Sequence, residues 1–362
     1  MQTVSFRSRT TVLRDPTRAP CTRVISPRQR VLFDRDYCSD LETGSLGGSC
    51  PAMDRSAARI VVGSDPSVVG GRMRHAVLGA GGVGGLLAAA LSRSGVEVVA
   101  LMRESTLLRY PGRFVVESKV LGSFTANVPA AARLDREVDV LWVTAKSTSL
   151  EAALSLAPGD RVGGATVIPL LNGIDHLAIL RDRYPMVVAG ALRAETERVD
   201  DGHILQRSPF VRIDIVGEAD IARDVVATGI DCRSVDDEVT LVWQKLAFLA
   251  PLALATTAAE APLGAIRDSD LYRQAQQEAV AVALAQGAHI DVEALAQLSD
   301  AASDEMRSSM QRDLAAGHVL ELDAIAGPIL RGGRLHGIDT PATEALVTQV
   351  DARVRARPDV DA

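Results

Sequence analysis

Aromatic residues make up only 3% of this 362-residue chain. Its cores must therefore be built from Ala, Leu and Val. No run of eighteen apolar residues occurs, which argues against a membrane-spanning helix. Cysteine is nearly absent: Cys21, Cys38 and Cys50 fall early and Cys232 stands alone, with no C-x-x-C spacing. The histidines are scattered singly. A disulfide framework and a metal site are thereby excluded, and a reducing, cytoplasmic setting is expected. Net positive charge is missing too. A balance of −7, with no basic stripe beside aromatics, speaks against a nucleic-acid partner. Lysine is rarer than any of these would suggest, since only Lys119, Lys146 and Lys245 interrupt an otherwise all-arginine set of cations. A lysine at a site-like position thus carries more information than usual.

What is present is an ordinary soluble composition, 47% hydrophobic and 23% charged, in a chain long enough for two cores. Residues 1–72 differ from the rest, with eleven arginines, repeated Ser, Gly and Pro, and no sustained period. They read as a disordered, dispensable extension. An Arg- and Ser-rich start resembles an organelle transit peptide, but Asp15, Asp34 and Asp36 weaken that reading. Met73 stands just before the first regular segment, and a chain starting there would be a complete domain.

The chain is organised around His75 to Arg103. The apolar run His75–Leu78 predicts a buried parallel strand, and the Ala/Leu-rich stretch to Arg93 a helix. Gly95 then ends the helix before a second strand at Val96–Met102. Gly79-Ala80-Gly81-Gly82-Val83-Gly84 sits at the first turn of this βαβ unit as G-x-G-x-x-G. Gly79 permits the tight turn, Gly81 lets backbone approach a pyrophosphate, and Gly84 lets helix and strand pack closely. The helix start offers unpaired N–H groups and a positive dipole end. A dinucleotide is the expected ligand. At the end of the second strand, where an NAD site usually carries a carboxylate, stands Arg103, with Glu104 after it. A planar guanidinium suits a 2′-phosphate, so NADP is expected.

Further strands are expected at Phe114–Glu117, Asp139–Ala145, Thr166–Leu171 and Met186–Ala189, with helices from Thr148 and up to Arg183. Residues 190–235, with a helix at Ala219–Thr228, should finish the same sheet. This is a doubly wound α/β domain over 73–236. Ligands in such sheets lie beyond the carboxyl ends of the strands, where Lys146 and Asn172-Gly173 also fall. From 237 to 362 the pattern is helical, at 237–259, 269–287, 291–299, 303–316, 320–331 and 340–356. In the first of these, Lys245, Leu249, Leu252 and Ala253 share one face, and Pro251 should kink the helix. A lysine heading an apolar stripe either snorkels or is buried for a purpose. One carboxylate near Lys245 would hold its ammonium in place, and Lys146 facing the same cleft would lower its pKa.

These features together resemble the ketopantoate reductase (2-dehydropantoate 2-reductase) family: GAGGVG at 79–84, Arg103, Ala145-Lys146, Asn172-Gly173, Trp243-Gln244-Lys245-Leu246, Ser308-Ser309-Met310 with Asp313, and Glu321 with Asp323. The resemblance runs from Met73 to about Val350. It implies an α/β Rossmann domain followed by an all-α domain of the 6-phosphogluconate-dehydrogenase-like type. It also implies NADP(H)-dependent reduction of a small 2-oxo acid, 2-dehydropantoate, to pantoate in pantothenate and coenzyme A biosynthesis. Carried over by position, Lys245 is the proton donor with Glu321 beside it. Lys146, Asn172 and Glu321 contact cofactor or substrate, and Ser309 holds the substrate.

The chain departs from the family pattern at two positions. The family has asparagines four and eight residues after the lysine, where this chain has Leu249 and Ala253. Each buried group left unpaired costs about 1–3 kcal/mol. Two alternatives follow: a reductase for a more apolar 2-oxo acid, or a non-catalytic NADP-binding regulator. The Ala/Leu-rich helices allow a homodimer as well as packing within one chain.

Overall fold

The computed structural model describes residues 73–357. Within 1–72 it describes only the backbone of two short antiparallel pairs, Ser5–Arg7 with Thr10–Val12 and Thr22–Ser26 with Gln29–Leu32. The expected disordered extension otherwise lies outside the described residues. Residues 73–357 belong to one compact unit.

That unit begins with β1 (Arg74–Leu78), α1 (Gly82–Arg93), β2 (Glu97–Leu101), α2 (Glu104–Leu107), β3 (Arg113–Ser118), β4 (Gly122–Asn127), β5 (Ala130–Ala131) and β6 (Val140–Val143). A 3-10 turn at Ser147–Ser149 leads to α3 (Leu150–Leu154), α4 (Gly159–Val162), β7 (Thr166–Pro169) and α5 (His176–Arg183). Five strands pair in parallel in the order β7-β6-β1-β2-β5. Both faces of this sheet are covered, which is why its strands read as continuous apolar runs: Ala76–Leu78 and Val140–Val143 are fully buried. His75 is tolerated inside β1 because its Nδ1 accepts a hydrogen bond from Trp142 Nε1 at 3.0 Å. The chain leaves β1 for β2 on one side and returns to β6 on the other. That reversal opens a crevice at the carboxyl ends of β1 and β6.

Next come β8 (Gly190–Arg193), β9 (Thr196–Asp200), β10 (His203–Gln206), β11 (Arg212–Val216), α6 (Ala219–Val226) and β12 (Asp231–Val235). These segments do not finish the parallel sheet. They form a three-stranded sheet, β8-β11-β12, and join β3 and β4 in a second one, β9-β10-β3-β4. The physical reason is visible in β3, whose residues alternate between exposed and buried. Such strands cover one face only and cannot enter a sheet that is buried on both. The strand expected at Met186–Ala189 is a single bridge, Val187 to Val167, and regular pairing starts at Gly190 where β11 becomes the partner. Helix α1 lies between the parallel sheet and the β9–β4 sheet. Its residues Gly84 to Leu91 are all buried, which explains why they are small or aliphatic throughout.

The remainder is helical: α7 (Glu238–Ala259), α8 (Leu263–Ile266), α9 (Asp270–Ala285), α10 (Val292–Ala301), α11 (Ser309–Ala315), α12 (Leu322–His336) and α13 (Pro341–Arg355). Helix α7 starts at Asp237, whose side chain accepts from the Thr240 amide at 3.0 Å, and runs unbroken as helix through Pro251. Among the described helices it alone is long and apolar enough to cross a bilayer. Here it is the hub on which α9, α11, α12 and α13 pack, with Ala250 to Ala258 buried. The helix expected from 303 starts only at Ser309. Ser308 caps it, its Oγ accepting from the Gln311 amide at 3.1 Å. The short α8 after Pro262 has too few residues for a readable period.

Candidate active site

The glycine-rich turn closes the end of β1. Gly79 has φ +101°, and a Cβ there would lie 2.7 Å from the Ala145 nitrogen. A Cβ on Gly84 would lie 2.1 Å from the Gly79 oxygen and 2.4 Å from Thr144 Oγ1, while Thr144 Oγ1 donates to Gly79 O at 2.7 Å. Gly82 is filled from the other side, with the backbone of Thr196 and Glu197 2.9 Å from its Cβ position. Gly81 differs. Nothing lies within 4 Å of its Cβ position and Gly81 is exposed, so the backbone there, between Ala80 and Gly82-Val83, is open to an approaching group. The first-turn amides of α1 are the unpaired donors of any helix start.

Arg103 caps α2 at the end of β2 and is exposed, as is Glu104. Beside them a shallow, open depression is lined by Ala80, Met102, Thr106, Tyr110, Phe114, Arg198, Asp201 and Gly202. An open glycine turn at a helix start and a depression at the next strand end fit a dinucleotide.

On the same sheet edge, three of the expected residues meet. Glu321, only 7% exposed, accepts from the Ser147 amide at 2.7 Å and the Ser147 hydroxyl at 2.9 Å through one oxygen. Its other oxygen accepts from Asn172 Nδ2 at 3.3 Å. Gly173 makes this possible: with φ +80°, its Cβ position is 2.2 Å from the Ala324 oxygen, so no other residue lets the Asn172 turn rest on α12. Lys146 lies one residue from Ser147 and donates to Asp313 Oδ1 at 2.6 Å. Asp323 does not join them; it pairs with Arg331 at 2.7 Å.

Lys245 reaches the edge from α7. Its Nζ donates to the Leu171 carbonyl oxygen at 3.1 Å, just past the end of β7. Burial, reinforced by the Arg193 guanidinium, pulls its pKa down to about 8, and Glu321 opposes that shift. Two expectations need correction here. The like-charged neighbour is Arg193 rather than Lys146, whose ammonium is already paired with Asp313. Among the described residues the Lys245 ammonium is held by a backbone carbonyl, and Glu321 acts on it across space without forming an ion pair. His176, 6% exposed, is a further neighbour: burial and the Lys245 charge push its pKa down to about 4, so it is a neutral imidazole.

Ser309 is exposed at the first position of α11. Its neighbour Ser308 is buried and receives a hydrogen bond from Thr256 Oγ1 at 2.9 Å. Leu249 is half-buried and Ala253 fully buried, both in the helical core. Four residues escaped the sequence reading: Ser147, His176, Arg193 and Arg198. Ser147 adjoins Lys146 and His176 follows Asn172 by four, so both lay within reach. Arg193 and Arg198 carry no signal in a chain this rich in arginine.

Comparison with known proteins agrees with this geometry. The family model for ketopantoate reductase PanE/ApbA matches residues 75–216, and that for its C-terminal part matches 239–354. The 2-dehydropantoate 2-reductase of Caulobacter vibrioides is 31% identical over 290 residues, spanning 76% of this chain and 98% of that protein. Among solved structures, a PanE/ApbA family ketopantoate reductase from Ralstonia eutropha superposes with a TM-score of 0.71 at 24% identity, covering 78% of this chain and 99% of that one. A D-mandelate dehydrogenase bound to NADH and anilino(oxo)acetate superposes at 0.70 and 20% identity, with 78% and 99% covered. A Rossmann sheet, a helical partner and both family models in register lead to one conclusion: the chain belongs to the ketopantoate reductase family of NAD(P)-dependent oxidoreductases.

Proposed function

We propose that this protein reduces a 2-oxo acid to the 2-hydroxy acid with NADPH, and that Lys245 is the proton donor. One observation carries the reading: a lysine ammonium of lowered pKa, fixed on the Leu171 carbonyl at the carboxyl end of a dinucleotide-binding sheet. Bound NADPH supplies the hydride to C2 of the substrate. As that hydride arrives, charge develops on the carbonyl oxygen, and Lys245 both stabilises it and gives it a proton. The neutral amine then takes a proton back from water. With a pKa near 8, the ammonium is abundant at neutral pH yet gives up its proton more readily than an ordinary lysine. Glu321 fixes the strand-end loops through Ser147 and Asn172, and keeps Lys245 from losing its charge altogether. Ser309 offers an exposed hydroxyl to the substrate from the helical side. Arg103 at the end of β2 supports NADP over NAD, with Arg198 in the depression nearby.

Family membership makes ketopantoate the first substrate to try. A second reading, a more apolar 2-oxo acid, is favoured by Leu249 and Ala253, which donate no hydrogen bonds where the family has asparagines. The experiment is NADPH oxidation across ketopantoate, 2-oxoisovalerate and phenylglyoxylate. Lys245→Met should abolish turnover while leaving NADPH affinity within a few-fold. Retained turnover in that variant removes Lys245 from the chemistry. Tight NADPH binding with no oxidation by any of the acids points to a non-catalytic regulator.

A further inference from the structure

We propose that Arg193 is an anion seat in this cleft: it receives the substrate carboxylate beside Lys245 and supplies anchoring that Leu249 and Ala253 lack. The inference rests on reading the protein as a 2-oxo acid reductase.

Position comes first. On β8, Ala191 packs against Leu241 of α7 within one buried cluster. Side chains alternate along a strand, so Arg193, two residues on, faces the same way. Helix α7, which carries Lys245, packs against β8. The two cations do sense each other, as the lowered Lys245 pKa reflects.

The guanidinium is held from behind. Its Nη1 binds the buried carboxylate of Asp214, on the neighbouring strand β11, and Asp214 also accepts from Arg212 Nε at 2.8 Å. The Arg193 side chain is 24% exposed, and its remaining N–H groups have no hydrogen-bond partner among the described residues. A largely buried guanidinium with free donors is a bidentate receptor lacking its anion.

Other candidate cations are already paired: Arg212 with Asp214, Arg233 with Asp231, and Lys146 with Asp313.

The test compares the 2-oxo acid with its neutral ester. In Arg193→Gln, Asp214 keeps Arg212, so the fold is retained. With NADPH and 2-oxoisovalerate, kcat/KM should fall by about 30- to 100-fold, mainly through KM, as expected for one lost charge-assisted pair. Turnover of methyl 2-oxoisovalerate should change less than threefold, and Arg193→Lys should restore part of the acid activity. The alkaline limb of the rate profile should also move to higher pH in Arg193→Gln, because a cation beside Lys245 is gone. Equal losses for acid and ester, or no loss for the acid, overturn the assignment. Calorimetric titration of oxamate, a 2-oxo acid isostere that is not reduced, into the NADP+-bound protein keeps the two readings apart. If wild type turns over neither compound, the reductase reading fails. Oxamate bound by wild type and weakened in Arg193→Gln still upholds the seat, whereas unchanged or absent oxamate binding ends it.

Discussion

Two glycines three residues apart in sequence, Gly81 and Gly84, should respond to the same substitution in opposite ways. A methyl at Gly84 would sit 2.1 Å from a backbone oxygen and 2.4 Å from Thr144 Oγ1, inside the seam between α1 and the strand ends. The first atom is backbone and the second is tied to the Leu78 and Gly79 carbonyls, so helix and strand must separate. Overpacking of this kind costs about 3 kcal/mol or more. In a protein of this size that lowers Tm by about 5 °C. At Gly81 the added methyl meets nothing within 4 Å, and φ is −80°, which alanine adopts freely. Restricting the unfolded chain should even stabilise Gly81→Ala by about 0.5 kcal/mol. The methyl would instead occupy the space through which a diphosphate reaches the helix start. A misfit of about 1–3 kcal/mol there weakens NADPH binding by about 5- to 150-fold. Thermal melts of the apo protein and fluorescence titration with NADPH measure the two effects separately. Gly81→Ala binding NADPH within twofold of wild type would refute the assignment of that turn, and so would a Tm loss as large as that of Gly84→Ala.

Two pH effects follow from the same site. His176 is held neutral, with a pKa of about 4 against 6.5 in the unfolded chain, so the unfolded state gains the proton first as pH falls. Stability contributed by this group is full above 6.5 and is lost towards 4, by about 3 kcal/mol in all. Urea melts of wild type and His176→Asn across that range should diverge in slope; parallel curves would remove His176 from the acid response. Turnover should fall as pH rises through about 8, where the Lys245 ammonium is lost. Glu321→Gln removes the charge that sustains this ammonium, and should shift that fall to lower pH. An unmoved or raised midpoint would show that Glu321 does not act on Lys245. Leu249→Asn should raise kcat/KM for ketopantoate relative to 2-oxoisovalerate by about tenfold, one hydrogen bond's worth, and a ratio left unchanged would detach Leu249 from substrate choice.

The nucleotide-binding half and the helical hub are legible in the order of residues alone. Both follow from local rules: glycine spacing at a strand–helix turn, apolar runs where both faces are covered, and helical period elsewhere. The sequence also singled out Lys146 and Lys245, because lysine is so rare here. Tertiary structure decided what those residues do. Lys146 meets Asp313 across 167 positions, and Ser147 meets Glu321 across 174. It also divided residues 190–235 between a sheet of their own and one shared with β3 and β4, since β10 pairs with β3 far upstream. Arg193 became a neighbour of Lys245 only when β8 was laid along α7. Local propensity cannot encode such meetings, because the free energy that fixes them comes from burying surfaces that are far apart in the chain.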